Sequence, residues 1–244
     1  MAKSPELEEA VRAVQQAPHA VDAWQTVEQL ASEHDAADDV AALYRDVLSS
    51  QLAPEVATMI GERACRFCDE WFGDDPKVLE RILVRVLQLA PQSESALQRI
   101  SVIYGDGERW TDLLAVFDRA LEATRDNARR IKLLREASQL AKDVANQPDK
   151  AIGYLQRLLP LVPDDPQVGP SLERLLERHE RWADLISLWD AKLETLGRKD
   201  REKSRLRIAA VYLEQLRDPA RALATVKPAL AEADDDTGAC QLLE

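Results

Sequence analysis

Apolar positions recur every three to four residues along almost the whole chain. Between 93 and 126, Leu97, Ile100, Ser101 and Tyr104 fall at i, i+3, i+4 and i+7, which is one face of a helix. Gly105 and Gly107 break the pattern, and Leu113, Leu114, Phe117, Ala120 and Leu121 build a second face. Between 127 and 164 the faces are Ile131, Leu134, Ala137, Ser138 and Ala141, then Ala151, Ile152, Leu155, Leu158, Leu159 and Val162. Read this way, the chain predicts a lone helix over 5–17 and six helix hairpins, at 18–52, 53–92, 93–126, 127–164, 165–200 and 201–236. Asp and Pro gather between the patterns, where Asp caps helices and Pro suits a first helical turn. Pro160 and Pro228 instead fall inside second helices, where each removes a hydrogen bond and kinks or shortens the helix.

The pattern is a repeat. GERWTDLLAVFDRALE at 107–122 returns as HERWADLISLWDAKLE at 179–194, a step of 72 residues. Ala137 steps onto Ala209 by the same amount. Asp39, Tyr44 and Ala64 precede Asp112, Phe117 and Ala137 by 73. Each unit of about 72 residues splits into two halves, and each half reads as two helices.

A helix-turn-helix of about 34 residues patterned W-x2-L-G-x2-Y, A-x3-F, P is the tetratricopeptide repeat. Residues 97–120 resemble it in register, with Leu97, Ile100, Ser101, Tyr104, Leu113, Phe117 and Ala120. Residues 24–47 resemble it through Trp24, Val27, Ala31, Val40 and Tyr44, and 149–165 through Ala151, Leu155 and Pro163. Residues 206–230 match at Leu206, Ala209, Ala210, Leu213, Ala222 and Val226. The resemblance covers 18–236 and is closest to the long bacterial arrays of the family. Departures are specific: Glu28 and Glu173 hold the usual small position, Gly169 replaces the first large apolar residue, and Leu113 and Leu185 replace a small one. The resemblance implies one all-α domain over 1–244, a right-handed α-solenoid of stacked hairpins. Residues 237–244, half apolar and unpartnered, read as a partial repeat from a longer array, because a stack should end in a polar cap.

Composition narrows the function. The chain has 244 residues and a net charge of −12, so a phosphate backbone is repelled and nucleic acid is not an expected partner. No apolar run is long enough to insert in a membrane, and the N-terminus lacks a signal-peptide apolar segment, so a cytoplasmic protein is expected. His19, His34 and His179 fall near turns. Neither a Ser or Cys nucleophile motif nor a Gly-rich phosphate loop is present, so no enzyme and no cofactor is expected. Cys65 and Cys68 form a C-x-x-C, but zinc needs two further ligands and redox chemistry needs a preceding strand. They align with Ser138 and Ala141, small positions at close helix contacts, so core packing is expected of them. Cys240 reads as inert. Trp110 and Trp182 read as wedges between hairpins.

The resemblance also implies that first helices line a concave surface, on which Lys132, Arg135, Lys142, Arg174, Arg178 and Arg207 project inward. The family's carboxylate clamp uses Lys and Asn on first helices, and Gln139 stands where that Asn would be. The expected function is a protein–protein interaction scaffold or adaptor whose concave basic face takes an acidic peptide or acidic surface. The alternative is a structural spacer or assembly subunit that acts through its ends or convex side.

Overall fold

In a computed structural model the chain is described over residues 4–73 and 75–232. Those residues form α-helices joined by short turns, with no strand among them. Residues 237–244 and Cys240 lie outside the described residues. The chain divides into two compact units, Met1–Asn146 and the part from Gln147 on. The division falls inside 127–164, the segment expected to be a single hairpin.

The first unit runs α1 Pro5–Gln16, α2 Val21–His34, α3 Ala37–Ser49, α4 Pro54–Trp71, α5 Pro76–Leu89, α6 Glu94–Asp106, α7 Trp110–Ala123 and α8 Asn127–Asp143. Each helix packs on the next, and α3 also meets α5 while α4 meets α6. This is antiparallel hairpin stacking, with α2, α4, α6 and α8 as first helices. The helix starts follow from sequence. Pro5, Pro54 and Pro76 take the first helical position, where a missing N–H costs nothing. Ser4, Asp75, Ser93 and Asp126 accept from backbone N–H groups of the helices they open.

The second unit runs α9 Pro148–Leu158, a 3-10 turn over Leu159–Leu161, α10 Val168–Arg178, α11 Trp182–Leu193, α12 Arg198–Glu214 and α13 Pro219–Glu232. Consecutive helices again pack together. Pro160 shortens its helix as expected: α9 ends at Leu158 and the chain tightens through the 3-10 turn. Pro228 lies within α13, which continues to Glu232.

One device ends most first helices. Asp35, Glu108, Asn146, Glu180 and Arg217 take left-handed backbone, with φ between 49° and 54°. The next N–H then reaches the carbonyl five residues back, as Ala36 does to Ala31 at 3.0 Å, Arg109 to Tyr104 at 2.8 Å and Arg181 to Leu176 at 2.8 Å. Glu108 and Glu180 are 72 residues apart, so the repeat seen in the letters is repeated in backbone torsion.

Candidate functional site

A groove of about 720 Å³ opens in the first unit between first helices α6 and α8. Its floor is apolar: Leu97 of α6, Leu113 and Phe117 of α7, and Leu133 and Leu140 of α8. Glu94, Gln98 and Ser101 of α6 face Arg129, Lys132 and Glu136 of α8 along the rim. The helical register puts each set on one face, with Glu94, Gln98 and Ser101 at spacings of four and three, and Arg129, Lys132 and Glu136 at three and four.

The same place one repeat earlier, between α2 and α4 over α3, is filled by the chain itself. Trp24 stacks on Tyr44 with ring centroids 4.4 Å apart, and both are fully buried. Tyr44 meets Phe67 of α4 at 5.9 Å. Glu28 accepts from Arg63 Nε at 3.1 Å and from Nη2 at 2.6 Å, and also from the Tyr44 hydroxyl. Arg63 is only 7% exposed, so this charge is stabilised by its paired carboxylate rather than by water. Burial first, then the hydrogen bond to Glu28, pushes the Tyr44 phenol well above its ordinary range.

A step of 73 residues carries Trp24 onto Leu97, Glu28 onto Ser101, Tyr44 onto Phe117, Arg63 onto Glu136 and Phe67 onto Leu140. All five of the later residues line the open groove. Two aromatic rings shrink to leucines, the phenol loses its hydroxyl, and the Glu–Arg pair becomes Ser and Glu. Ser101 turns its hydroxyl back to its own helix, donating to the Leu97 carbonyl at 2.7 Å. The groove is open because the residues that filled its predecessor have been exchanged.

The corresponding place in the second unit, between α10 and α12 over α11, is filled again by different means. A step of 72 carries Leu97 onto Gly169 and Ser101 onto Glu173. The Lys192 ammonium lies 3.3 Å from where a Cβ on Gly169 would stand, and donates to Glu173 at 3.1 Å. Glycine thus makes room for a lysine that occupies the missing side chain's space. Arg207 closes the cluster, 3.7 Å from Glu173 and 3.9 Å from Glu177, with its guanidinium 4.3 Å from the Trp189 ring centroid.

Rim charges of the open groove are only partly paired. Lys132 bonds Glu94 across the slot. That hydrogen bond, reinforced by the opposite charge, lowers the Glu94 carboxyl and raises the Lys132 ammonium. Arg129 Nε is buried without a hydrogen-bond partner. Glu136 stands outside the ion pairs of the described residues, though its field acts on Lys132.

The six basic residues expected on one face divide between the units. Lys132, Arg135 and Lys142 lie on α8, and Arg174, Arg178 and Arg207 on α10 and α12. Only Lys132 reaches the groove. Three of the six are in ion pairs: Lys132 with Glu94, Lys142 with Asp143 at 3.4 Å, and Arg207 with Glu173 and Glu177. Arg174 Nε donates to the Pro170 carbonyl of its own helix. Arg135 and Arg178 are exposed. The groove-forming exchanges at Ser101 and Glu136 were missed in the sequence, although comparing each 73-residue step for lost aromatics and charges would have found them.

The remaining candidates sit as packing elements. Cys68 is buried and Cys65 half-buried on α4, and burial pushes the Cys68 thiol up to about 12 and raises Cys65 as well. Both therefore stay protonated and poorly nucleophilic. Among the described residues no cluster of three His, Cys, Asp or Glu side chains is placed to hold a metal ion. His19, His34 and His179 are exposed at helix ends and turns. Trp110 opens α7 with its ring against Gly105, half-buried, and Trp182 opens α11 in the same state. Among the described residues no helix is long and apolar enough to cross a membrane.

No protein-family model and no curated protein matches the chain. Several solved structures resemble it. A MamA RS-1 double mutant is 14% identical over 75% of this chain and 97% of its own, with a TM-score of 0.35. YrrB, described as a tetratricopeptide-repeat protein with an unusual peptide-binding site, is 15% identical over 95% of each chain, with a TM-score of 0.34. PilF of Pseudomonas aeruginosa is 14% identical over 93% of this chain and 99% of its own, with a TM-score of 0.34. The helices, the hairpin packing and the repeated turn define the class: an all-α helical repeat of the tetratricopeptide-like kind.

Proposed function

We propose that the chain is a protein-interaction scaffold that holds a segment of another protein in the α6–α7–α8 groove. The observation that carries this reading is the groove's emptiness beside two filled counterparts. The chain supplies Trp24, Glu28 and Arg63 in one repeat and Lys192, Glu173 and Arg207 in another. In the middle repeat it supplies nothing and leaves an apolar floor within reach of solvent. Such a floor gains by taking apolar side chains out of water, at about 25 cal/mol per Å². No nucleophile, metal cluster or perturbed base faces the groove among the described residues, which supports binding rather than catalysis.

Leu97→Trp tests the reading, because it installs the ring that fills the earlier groove. Proteins retained on the immobilised chain and identified by mass spectrometry should be lost from the variant. An unchanged set of retained proteins would place binding elsewhere on the molecule.

A further inference from the structure

The filled grooves show which chemistry the open one lacks. Between α2 and α4 a guanidinium and a carboxylate meet across the slot, beside a stacked indole. Between α10 and α12 an ammonium and a guanidinium meet a carboxylate, beside Trp189. Each filled groove therefore holds a cation, an anion and a large ring. The open groove has the anion and the apolar floor, but the anion is on the opposite wall. Glu136 comes from α8, at the position where α4 has Arg63, while α6 offers only Ser101 where α2 has Glu28. The wall that bore the cation now bears the carboxylate, and the groove's remaining need is for a positive group and a bulky apolar one.

Resting on the groove reading above, we infer that the occupant is a peptide segment of a protein partner with a bulky apolar or aromatic side chain flanked by a basic residue. The ring takes the space over Phe117 that Leu97 leaves open, and the cation pairs with Glu136. The surroundings agree in sign. Glu94 stands on the same rim, and Glu55 and Glu62 line an adjoining cavity of about 720 Å³ on α4 that Glu94 also borders. Lys132 is already engaged by Glu94, so it does not cancel the carboxylate that meets the ligand. The net charge of −12 further favours capture of a cationic segment.

The probes are fluorescein-labelled nine-residue peptides with one central Trp. One flanking position is varied as Arg, Gln or Glu, and a fourth peptide has Ala for Trp with Arg retained. Polarisation titrations use the full chain, Glu136→Arg and Leu97→Trp. The Arg-flanked Trp peptide should bind the full chain about tenfold more tightly than the Glu-flanked one, equal to 1.4 kcal/mol. Glu136→Arg should reverse that order, and both the Ala peptide and Leu97→Trp should abolish binding. Equal affinity for Arg and Glu flanks, or an order that Glu136→Arg leaves intact, overturns the basic-residue inference. The groove reading then survives if Leu97→Trp still abolishes binding. Preference for the Glu-flanked peptide overturns the inference in favour of the basic residues of α8. Absence of binding by every probe up to about 1 mM, the weak end of specific recognition, also overturns it.

Discussion

Arg63 donates from Nε and Nη2 to both carboxylate oxygens of Glu28, joining first helices α4 and α2 across the first groove. The pair has the planar fork geometry that Arg alone provides. The Arg63 side chain is 8% exposed and that of Glu28 22%, so water does little to soften the loss of either. Removing the carboxylate leaves a buried guanidinium without its counter-charge. Glu28→Ala should therefore cost about 3–5 kcal/mol, read as a lower urea midpoint by circular dichroism. Glu28→Ala combined with Arg63→Met should recover much of the loss, because the orphaned charge goes too. Ser101→Ala, at the equivalent place in the open groove, should cost less than about 1 kcal/mol, since its hydroxyl bonds only to its own helix.

Arg207 behaves differently from the expectation of a basic groove residue whose reversal leaves folding untouched. Its guanidinium lies over Trp189 and near two carboxylates, so Arg207→Glu removes a cation–π contact and sets a third anion beside Glu173 and Glu177. The side chain is 55% exposed, which screens much of the effect. A destabilisation of about 1 kcal/mol is expected, seen as a lower thermal midpoint. Arg207→Gln should fall between the two, because it keeps no charge of either sign. A reversal that leaves the midpoint unchanged would show that Arg207 serves only the surface.

The two cysteines of α4 should be chemically silent in the folded chain. With the Cys68 thiol pushed up to about 12, its thiolate fraction at pH 8 is about one part in ten thousand. Iodoacetamide at that pH should leave the peptide containing Cys65 and Cys68 unmodified in the native protein and label it fully in urea. Rapid native labelling of that peptide would show that α4 opens or that the thiols are activated. As pH rises toward 12, ionisation of Cys68 should begin to destabilise the first unit, because its raised pKa reflects the cost of a buried thiolate.

Much of this molecule could be read in the letters. The helical periodicity placed the helices because Gly, Asp and Pro interrupt it where the chain turns. Pro54, Pro76, Pro148 and Pro219 begin helices for the same reason that they cannot continue them. Trp110 and the paired cysteines were also legible, since bulk and small size at repeat positions translate directly into packing. What escaped was the meaning of the departures. Glu28 and Glu173 look like two similar faults at a position that wants a small residue. Only the folded chain shows that each carboxylate is held by partners 16 to 35 residues away, Tyr44 and Arg63 for one and Lys192 and Arg207 for the other. Ser101 looks unremarkable because it fits the pattern, yet its fit is what leaves a groove unfilled. Charge counting along α8 and α12 found the basic residues but not their pairing, because pairing is a property of neighbouring helices.

The most direct test rebuilds the first groove inside the second. Leu97→Trp, Ser101→Glu, Phe117→Tyr and Glu136→Arg together restore the stacked ring and the hydrogen-bonded ion pair of the earlier repeat. The measurement is affinity for the Arg-flanked Trp peptide, taken beside the thermal midpoint of the same sample. The account predicts at least a tenfold loss of affinity, about 1.4 kcal/mol or more, with a midpoint equal to or above that of the parent chain. Unchanged affinity in a folded variant would contradict it, because the groove would then be full and the ligand still bound.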